Sequence, residues 1–233
     1  MVFIMIKITD NYLLNLMRDN LGVLTDDFSE NELKEVTELY LDNDSYLDSD
    51  LEDLKYFTGI EKIVLKDLFI SISLLTNICN VKSLRELSFY NCNITDLECL
   101  INSNIYSLVI DNCIYEDIGF INEIKTLKEL YLDNNSVVDL KEIPIIKQFN
   151  KLSLNNTNVL NEDYMIYMNE IEYLAISDSG IEDVSILLSM DKLKVLVLDR
   201  NQAINNKEFI LELKQKNIKV VDYYNRDVVM YYE

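Results

Sequence analysis

The sequence predicts an α/β solenoid: a curved, right-handed stack of short repeats. We expect a parallel concave β-sheet, short helical or 3-10 segments on the convex side, and a helical N-terminal cap. The first observation behind this is an apolar pattern of fixed spacing that recurs along the 233 residues. The second is that each copy changes from the two-residue period of a strand to the period of a helical turn. One such unit cannot bury its own apolar side, so each needs a neighbouring copy.

The amino-acid composition is consistent with one continuous hydrophobic core and limits the classes of molecule that the chain is expected to bind. Hydrophobic residues make up 49% of the chain, and 4 Gly with 1 Pro leave no material for a flexible linker. The 21 basic and 41 acidic residues give a net charge of −20, which argues against a nucleic-acid partner. That charge favours a protein with a basic surface, although solubility alone also explains it. No apolar run reaches membrane length, so we expect no membrane partner.

Residues 1–35 do not fit the repeat and predict the helical N-terminal cap. Thr9 or Asp10 can cap a first helix that Gly22 ends. The apolar positions of that helix are Tyr12, Leu13, Leu16, Met17 and Leu21. Ser29, followed three residues later by a Glu, has the spacing of a capping box and starts a second helix.

The array of about eight repeats is predicted over residues 36–217, and residues 218–233 form a degenerate last repeat and a C-terminal cap. The first apolar position of each unit falls at Val36, Ile60, Leu84, Ile105, Leu127, Phe149, Ile171 and Leu193. Two further apolar strand positions follow three and five residues later in every unit. In the last repeat we place Ile218, Val221 and Tyr223 inward, and expect the tail to close the final strand edge.

The most regular unit runs from Leu127 to Ile146 with the spacing L-x-x-L-x-L-x-x-N-x-φ-x-x-L, where φ is apolar. This spacing is the signature of leucine-rich repeats. Its Asn135 is expected to point inward and donate to backbone carbonyls of a neighbouring turn. The other units carry at this position Asp44, Leu68, Cys92, Cys113, Thr157, Ser179 and Asn201. We expect the region from Asp44 to Leu68 to be the least regular.

We interpret two further sets of side chains as structural. Asp96, Asp117, Asp139 and Asp183 each precede a convex segment, where an Asp can cap a short helix. Cys92 and Cys113 hold equivalent positions in adjacent units, and we interpret them as buried thiols in preference to a disulfide or metal site. Since the four cysteines show no C-x-x-C pair, a reduced, cytoplasmic protein is the simplest account. Secretion stays open if a signal peptide has been removed.

The repeat, LxxLxLxxNxφxDLxxL at mostly 22 residues, resembles the short subtype of bacterial internalins and of phosphatase-regulatory leucine-rich proteins. The stretch LLNLMRDNLGVLTDDFSENELKEVTELYL is similar to the helical internalin cap that runs into a first strand. This resemblance implies a scaffold that binds another protein on its concave face. It also implies the secreted or wall-attached, host-binding role that is typical of internalin-like proteins.

The residues between the inward strand positions face the concave side and are the candidate protein-binding residues. They are Tyr40, Asp42, Lys66, Tyr90, Asp111, Glu129, Tyr131, Asp133, Tyr173 and Asp199. Tyrosine buries area at interfaces with little loss of entropy and keeps a polar tip, which favours binding. A solvated sheet of strand-favouring residues is the alternative interpretation.

The sequence gives little support to enzyme chemistry. It contains no His, no glycine-rich phosphate loop and no G-x-S-x-G motif, so we expect no catalytic residue, cofactor or metal. We predict a non-enzymatic protein–protein interaction scaffold whose concave face binds a protein with a basic surface. The alternatives are an intracellular inhibitor or immunity-type regulator of a basic enzyme or toxin, and a secreted internalin-like host-binding protein. The pattern identifies neither the partner nor the oligomeric state.

Overall fold

The computed structural model describes residues 5–43, 50–143 and 149–232. The strands are β1 (Met5–Lys7), β2 (Asp27–Ser29), β3 (Glu38–Leu41), β4 (Lys62–Lys66), β5 (Phe69–Ile70), β6 (Glu86–Tyr90), β7 (Asn93–Ile94), β8 (Ser107–Asp111), β9 (Glu129–Tyr131), β10 (Val137–Asp139), β11 (Lys151–Ser153), β12 (Asn158–Leu160), β13 (Tyr173–Ala175), β14 (Val195–Val197) and β15 (Lys219–Val221). The α-helices are α1 (Asn11–Leu21), α2 (Glu30–Lys34), α3 (Ile72–Cys79), α4 (Arg200–Asn205) and α5 (Lys207–Gln215). The 3-10 helices are Glu52–Tyr56, Glu98–Asn102, Gly119–Glu123, Glu162–Tyr167, Ser185–Ser189 and Val228–Tyr232. Within these described ranges, no helix combines the length and apolar character that crossing a membrane requires.

The chain forms two compact units. Unit 1 runs to Tyr106 and also includes Cys113–Thr126, whereas unit 2 consists of Ser107–Asn112 and the chain from Leu127 onward. In unit 1 the strands β3, β4 and β6 pair in parallel. In unit 2 the strands β8, β9, β11, β13, β14 and β15 do the same. Within each unit the parallel strands follow one another in chain order, as the predicted repeat requires.

The inward strand positions form the core of each unit, as predicted. All sixteen side chains are at most 1% exposed. They are Leu39, Leu41, Ile63, Leu65, Leu87, Phe89, Leu108, Ile110, Leu130, Leu132, Leu152, Leu154, Leu174, Ile176, Leu196 and Leu198. Because neighbouring side chains of a strand alternate, the residues between them point to the opposite face.

The N-terminal cap has both predicted helices and also a strand ribbon. Asp10 caps α1 by accepting a hydrogen bond from the Leu13 N–H, and Gly22 ends the helix at φ 65°. Ser29 and Glu32 form the predicted capping box of α2. The ribbon of β1 and β2 is antiparallel, and the sequence analysis did not foresee it.

Two contacts fix the cap on the first repeat. The buried Asp53 carboxylate accepts hydrogen bonds from the Thr9 N–H at 2.6 Å, the Thr9 hydroxyl at 2.9 Å and the Asp10 N–H at 2.9 Å. Burial raises the pKa of Asp53, but these hydrogen bonds lower it by more, so the net shift is downward. At Gly59 an added Cβ would lie 1.8 Å from the Lys34 carbonyl oxygen, so this close approach requires glycine.

Six strand turns contain a left-handed residue that was not predicted from the sequence. These six residues have φ between 50° and 60°, and each directly precedes the position that Asn usually holds. They are Asp67, Asn91, Asn112, Asn134, Asn156 and Asp178. Asn and Asp tolerate this backbone region better than other residues with a Cβ. A column of Asn or Asp one position earlier in the repeat was therefore the signal for these turns.

The inward polar position is used as predicted in the middle of the array. The Asn135 amide donates to the carbonyl oxygens of Ile110 at 2.7 Å and Leu132 at 2.9 Å. The Thr157 hydroxyl donates to the same Leu132 carbonyl at 2.8 Å. These bonds satisfy backbone groups that water does not reach. The corresponding prediction for Asp44 lies outside the described residues.

In the eighth unit the inward polar residue differs from the prediction. Asn201 is exposed, whereas the next residue, Gln202, is 5% exposed. The Gln202 amide donates to the carbonyl oxygens of Ile176 at 2.9 Å and Ile181 at 2.8 Å. Helix α4 begins at this point, so its turn brings the following residue inward and Asn201 outward.

At three of the four aspartates that precede the predicted convex segments, a 3-10 helix follows as predicted, whereas the described residues after Asp139 form a turn. Each of the four aspartates accepts a hydrogen bond from the backbone N–H two residues further on, at 2.7 to 2.9 Å. They are Asp96, Asp117, Asp139 and Asp183. At Asp183 the bond from the Ser185 N–H lowers the pKa of the carboxyl. These four residues are structural.

The last repeat is shifted by one residue from the predicted register. β15 places Val220 beside Leu196, so Val220 points inward and is 1% exposed. Tyr223, which we predicted to point inward, is 67% exposed. A slip of one residue moves every side chain of a strand to the other face. The C-terminal tail pairs with β15, as expected, through an antiparallel bridge between Val221 and Asp227.

Candidate protein-binding surface

The outer strand face consists of the side chains that point away from the core along the nine parallel strands. Each unit holds one group of the ten predicted binding residues. Unit 1 contains Tyr40, Asp42, Lys66 and Tyr90. Unit 2 contains Asp111, Glu129, Tyr131, Asp133, Tyr173 and Asp199. The two groups differ in burial and in hydrogen bonding.

The group in unit 1 is exposed to solvent. Tyr40 is 56% exposed and Tyr90 is 37% exposed. The Lys66 ammonium lies 3.7 Å from the Asp67 carboxylate, and both side chains are well exposed. An exposed ion pair of this kind contributes less than about 1 kcal/mol. This part of the outer strand face is therefore a solvated surface with charges of both signs.

In unit 2 the centre of the outer strand face is buried, although it points away from the core. Its buried members are Ser153, Ala175, Val197 and Val221. The last three form a small apolar cluster, and Tyr173 and Val195 pack against it. Small residues here are covered by the larger side chains beside them. The result is a second, shallow apolar layer on the outer side of the strands.

Tyr173 and Val195 pack against this layer, and Tyr131 and Tyr223 are neighbours of Tyr173. We call these four residues the tyrosine patch. The Tyr131 hydroxyl donates to the Glu129 carboxylate at 3.2 Å. Burial, followed by the Glu129 charge, raises the pKa of Tyr131. Burial also raises the pKa of Tyr173, and the charge of Tyr223, when ionised, would add to this rise. The sequence analysis missed Tyr223 because of the register slip in β15.

Two of the predicted acidic binding residues also hold the local backbone. The Asp133 carboxylate accepts from the Ser153 hydroxyl at 2.6 Å and from the Asn155 N–H at 2.8 Å. Asp199 is the N-cap of α4 and accepts from the Gln202 N–H at 3.0 Å. Replacing either residue would therefore change the fold locally as well as the surface charge.

Asp111 has an electrostatic setting that favours a cation. Burial raises its pKa, the hydrogen bond from Asn134 at 2.9 Å lowers it, and the Asp133 carboxylate raises it again. The net shift of the Asp111 pKa is upward. A carboxylate that is partly desolvated beside a second carboxylate is stabilised in its charged form by a nearby Lys or Arg.

A separate groove lies on the helical side of unit 1. It has a volume of about 630 Å³, and its lining includes the apolar side chains of Leu97 and Phe120. Its carboxylates are Asp96, Glu98, Glu116, Asp117 and Glu123. Across the described part of the chain, no three Cys, Asp or Glu side chains are arranged to hold a metal ion. The groove is therefore an alternative candidate for the protein-binding surface, besides the outer strand face.

Comparisons with known proteins identify the fold. No protein-family model and no curated protein sequence matches the chain. Among solved structures it is similar to an internalin (InlF) of Listeria monocytogenes, with a TM-score of 0.62 and 19% identity over 91% of this chain and 68% of that one. It is also similar to internalin C2 of the same species, with a TM-score of 0.60 and 19% identity over 84% and 89%. A leucine-rich-repeat protein of Leptospira interrogans matches at a TM-score of 0.58 and 17% identity over 82% and 49%. The chain therefore has an internalin-like leucine-rich-repeat fold.

Proposed function

We propose that this chain is a non-enzymatic scaffold that binds a partner protein through the outer strand face of unit 2. The observation that carries the proposal is the tyrosine patch. The Tyr173 ring packs against the apolar cluster and Tyr131 is half-buried, so binding would immobilise few additional side chains at these two positions. Tyrosines of this kind supply contact area at low entropic cost. The internalin-like fold supports the general class of protein-binding repeat proteins.

The partner in this proposal has a basic surface beside an apolar one. Asp111 and Asp133 border the patch, and the raised pKa of Asp111 reflects a carboxylate that a cation would stabilise. The net charge of −20 would also steer a basic protein toward this chain. Apolar contacts would then come from the tyrosine rings and Val195. Lys or Arg side chains of the partner would lie along the aspartates.

Unit 1 offers the less favourable surface in this proposal. Its tyrosines Tyr40 and Tyr90 are more exposed than Tyr131 and Tyr173, and Lys66 adds a positive charge to this part of the outer strand face. A basic partner would meet less favourable electrostatics there. We assign the binding energy to unit 2.

Affinity capture from the native lysate, followed by mass spectrometry at low and moderate salt, tests the proposal. The bait proteins are the wild type, a patch variant (Tyr173→Ala with Tyr223→Ala), a matched unit 1 variant (Tyr40→Ala with Tyr90→Ala) and the groove variant Phe120→Ala. We expect the patch variant alone to lose the partner, and moderate salt to weaken capture by the wild type. A stably folded patch variant that retains the partner, or loss of the partner by the groove variant alone, would contradict the proposal.

The strong acidity also favours a narrower role, as an inhibitor or immunity-type regulator of a basic enzyme or toxin inside the cell. In that case the captured partner is an enzyme, and adding the chain in equimolar amount lowers its activity. In the secreted, host-binding alternative, the partner comes from a host extract and not from the native lysate. Capture from the two extracts in parallel separates these roles.

A further inference from the structure

Two cysteines of unit 1, other than the equivalent-position pair Cys92 and Cys113, lie very close together. Cys79 is the last residue of α3, and Cys99 lies in the 3-10 helix Glu98–Asn102 of the next repeat. Their Sγ atoms are 2.6 Å apart. Non-bonded carbon atoms pack best at about 3.5–4.0 Å, and sulfur is a larger atom. The separation is only about 0.6 Å longer than a disulfide bond of about 2.05 Å.

The two thiols differ in access to solvent. Cys79 is 7% exposed, whereas Cys99 is partly exposed and can meet a small oxidant. The hydrogen bond with Cys99, followed by burial, raises the pKa of the Cys79 thiol. Cys99 is therefore the thiol that reacts first, and Cys79 is the one that completes the bond.

Cys92 and Cys113 form the natural comparison in the same unit. The Cys113 sulfur accepts a hydrogen bond from the Cys92 N–H at 3.3 Å. The Cys92 sulfur is directed at the carbonyl oxygens of Leu65 at 3.5 Å and Tyr90 at 3.4 Å. The hydrogen bond with Cys113 lowers the pKa of the Cys92 thiol to about 7. Acidity therefore does not make the Cys92–Cys113 pair less reactive than the Cys79–Cys99 pair. The two pairs differ because the Cys92 and Cys113 sulfurs also form hydrogen bonds with backbone groups, and a disulfide between them would have to break these bonds.

We propose that Cys79 and Cys99 are a dithiol site that closes to an intramolecular disulfide by reaction with a low-molecular-weight disulfide. The Cys99 thiolate attacks the oxidant, forming a mixed disulfide and releasing one equivalent of the small thiol. The Cys79 thiolate then attacks the Cys99 sulfur and releases the second equivalent. Two protein thiols are oxidised to one disulfide, and one molecule of small disulfide is reduced to two small thiols.

This bond would join the helical sides of two successive repeats of unit 1. It would close a loop between residues separated by 20 positions. Such a cross-link restricts the unfolded chain and so stabilises the folded unit. The tyrosine patch of unit 2 contains none of these residues, so the proposal does not depend on the proposed binding function.

The test oxidises the purified full chain with glutathione disulfide and then alkylates the remaining thiols after denaturation. Mass spectrometry without reduction should find Cys79 linked to Cys99, and the alkyl label on Cys92 and Cys113. We also expect the melting temperature to rise by at least about 4 °C, and to return after treatment with a reductant. The proposal would be overturned if Cys79 and Cys99 both carry the label after oxidation, or if the disulfide joins Cys92 to Cys113 instead.

Two matched variants complete the experiment. Cys99→Ser changes the partly exposed member, so folding is expected to survive, and it should abolish both the linked peptide and the rise in melting temperature. Cys113→Ser should retain both. If Cys113→Ser abolishes the rise while Cys99→Ser retains it, the assignment of the pair is wrong.

Discussion

The same six residues, Glu-Leu-Tyr-Leu-Asp-Asn, occur twice in this chain: at 38–43 in unit 1 and at 129–134 in unit 2. In each copy the tyrosine hydroxyl donates to the glutamate two residues earlier, at 2.6 Å for Tyr40 and 3.2 Å for Tyr131. Their exposure nevertheless differs, since Tyr40 is 56% exposed and Tyr131 is half-buried. Identical local sequence therefore gives two different surfaces.

The difference comes from the strands on either side of each copy. β3 ends the strand order, so Tyr40 has one strand neighbour in register, Val64. Tyr131 lies between Val109 on β8 and Ser153 on β11. Tyr131 therefore has a strand neighbour on each side, and its ring is partly buried. In a repeat array, the residues of adjacent repeats thus decide whether a tyrosine is a solvated side chain or part of a packed surface.

The largest expected effect is on the free energy of unfolding, and it concerns β3, the end strand that carries the first copy of the six residues. Gly59→Ala would push a Cβ against the Lys34 carbonyl oxygen and displace the cap from the repeat that contains Tyr40. We expect a loss of about 3 kcal/mol in the free energy of unfolding, measured by urea denaturation. Gly119→Ala is the control, because its Cβ would meet only the movable Asp117 carboxylate at 3.2 Å, and it should cost less than about 1 kcal/mol. Equal losses in the two variants would contradict the close packing of the cap.

The aspartates of the two copies give the second comparison. Asp133→Ala removes the acceptor of Ser153 and Asn155, both of which are buried, and should lower the free energy of unfolding by about 1–3 kcal/mol. Asp42 is exposed, so water can replace a bond that its carboxylate loses, and Asp42→Ala should cost less than Asp133→Ala. Urea denaturation of the two variants side by side makes the measurement. If Asp42→Ala proves as costly as Asp133→Ala, the surroundings of the two copies are not as different as described.

The smallest expected effect is the alkaline titration of the two tyrosines. Burial raises the pKa of Tyr131, whereas at Tyr40 the hydrogen bond to Glu38 is the main cause of a raised pKa. A raised folded pKa gives stability that is complete below the unfolded value of about 10 and is lost as the pH rises through the folded pKa. Tyr131→Phe should therefore reduce the alkaline loss of stability more than Tyr40→Phe. Unfolding curves at neutral pH and above the unfolded pKa provide the test, and identical pH dependence of the two variants would contradict it.

The sequence was sufficient for the fold wherever the apolar spacing is regular. The sixteen inward strand positions and three of the four convex-segment aspartates lie as predicted, because repeat spacing fixes which side chains point inward. Two errors occur where that spacing ends. At Asn201 a helix begins and Gln202 becomes the inward residue, and in β15 the register shifts by one, which turns Tyr223 outward.

The candidate site was harder to predict for a physical reason. The sequence assigns Tyr40 and Tyr131 to the same kind of position, and nothing in the six shared residues separates them. Their burial depends on side chains that are about 22 positions away in the chain and adjacent across the strands, such as Ser153 beside Tyr131. The structural use of Asp133 depends on the same neighbouring repeat.

The central claim is that unit 2 carries the binding surface, and the matched tyrosines test it most directly. The measurement is the dissociation constant of the captured partner, by titration calorimetry, for the wild type, Tyr131→Ala and Tyr40→Ala. We predict that Tyr131→Ala weakens binding about thirtyfold, as a packed tyrosine at the centre of an interface would, and that Tyr40→Ala changes it less than about threefold. Equal effects of the two substitutions, or a larger effect of Tyr40→Ala, would contradict the account.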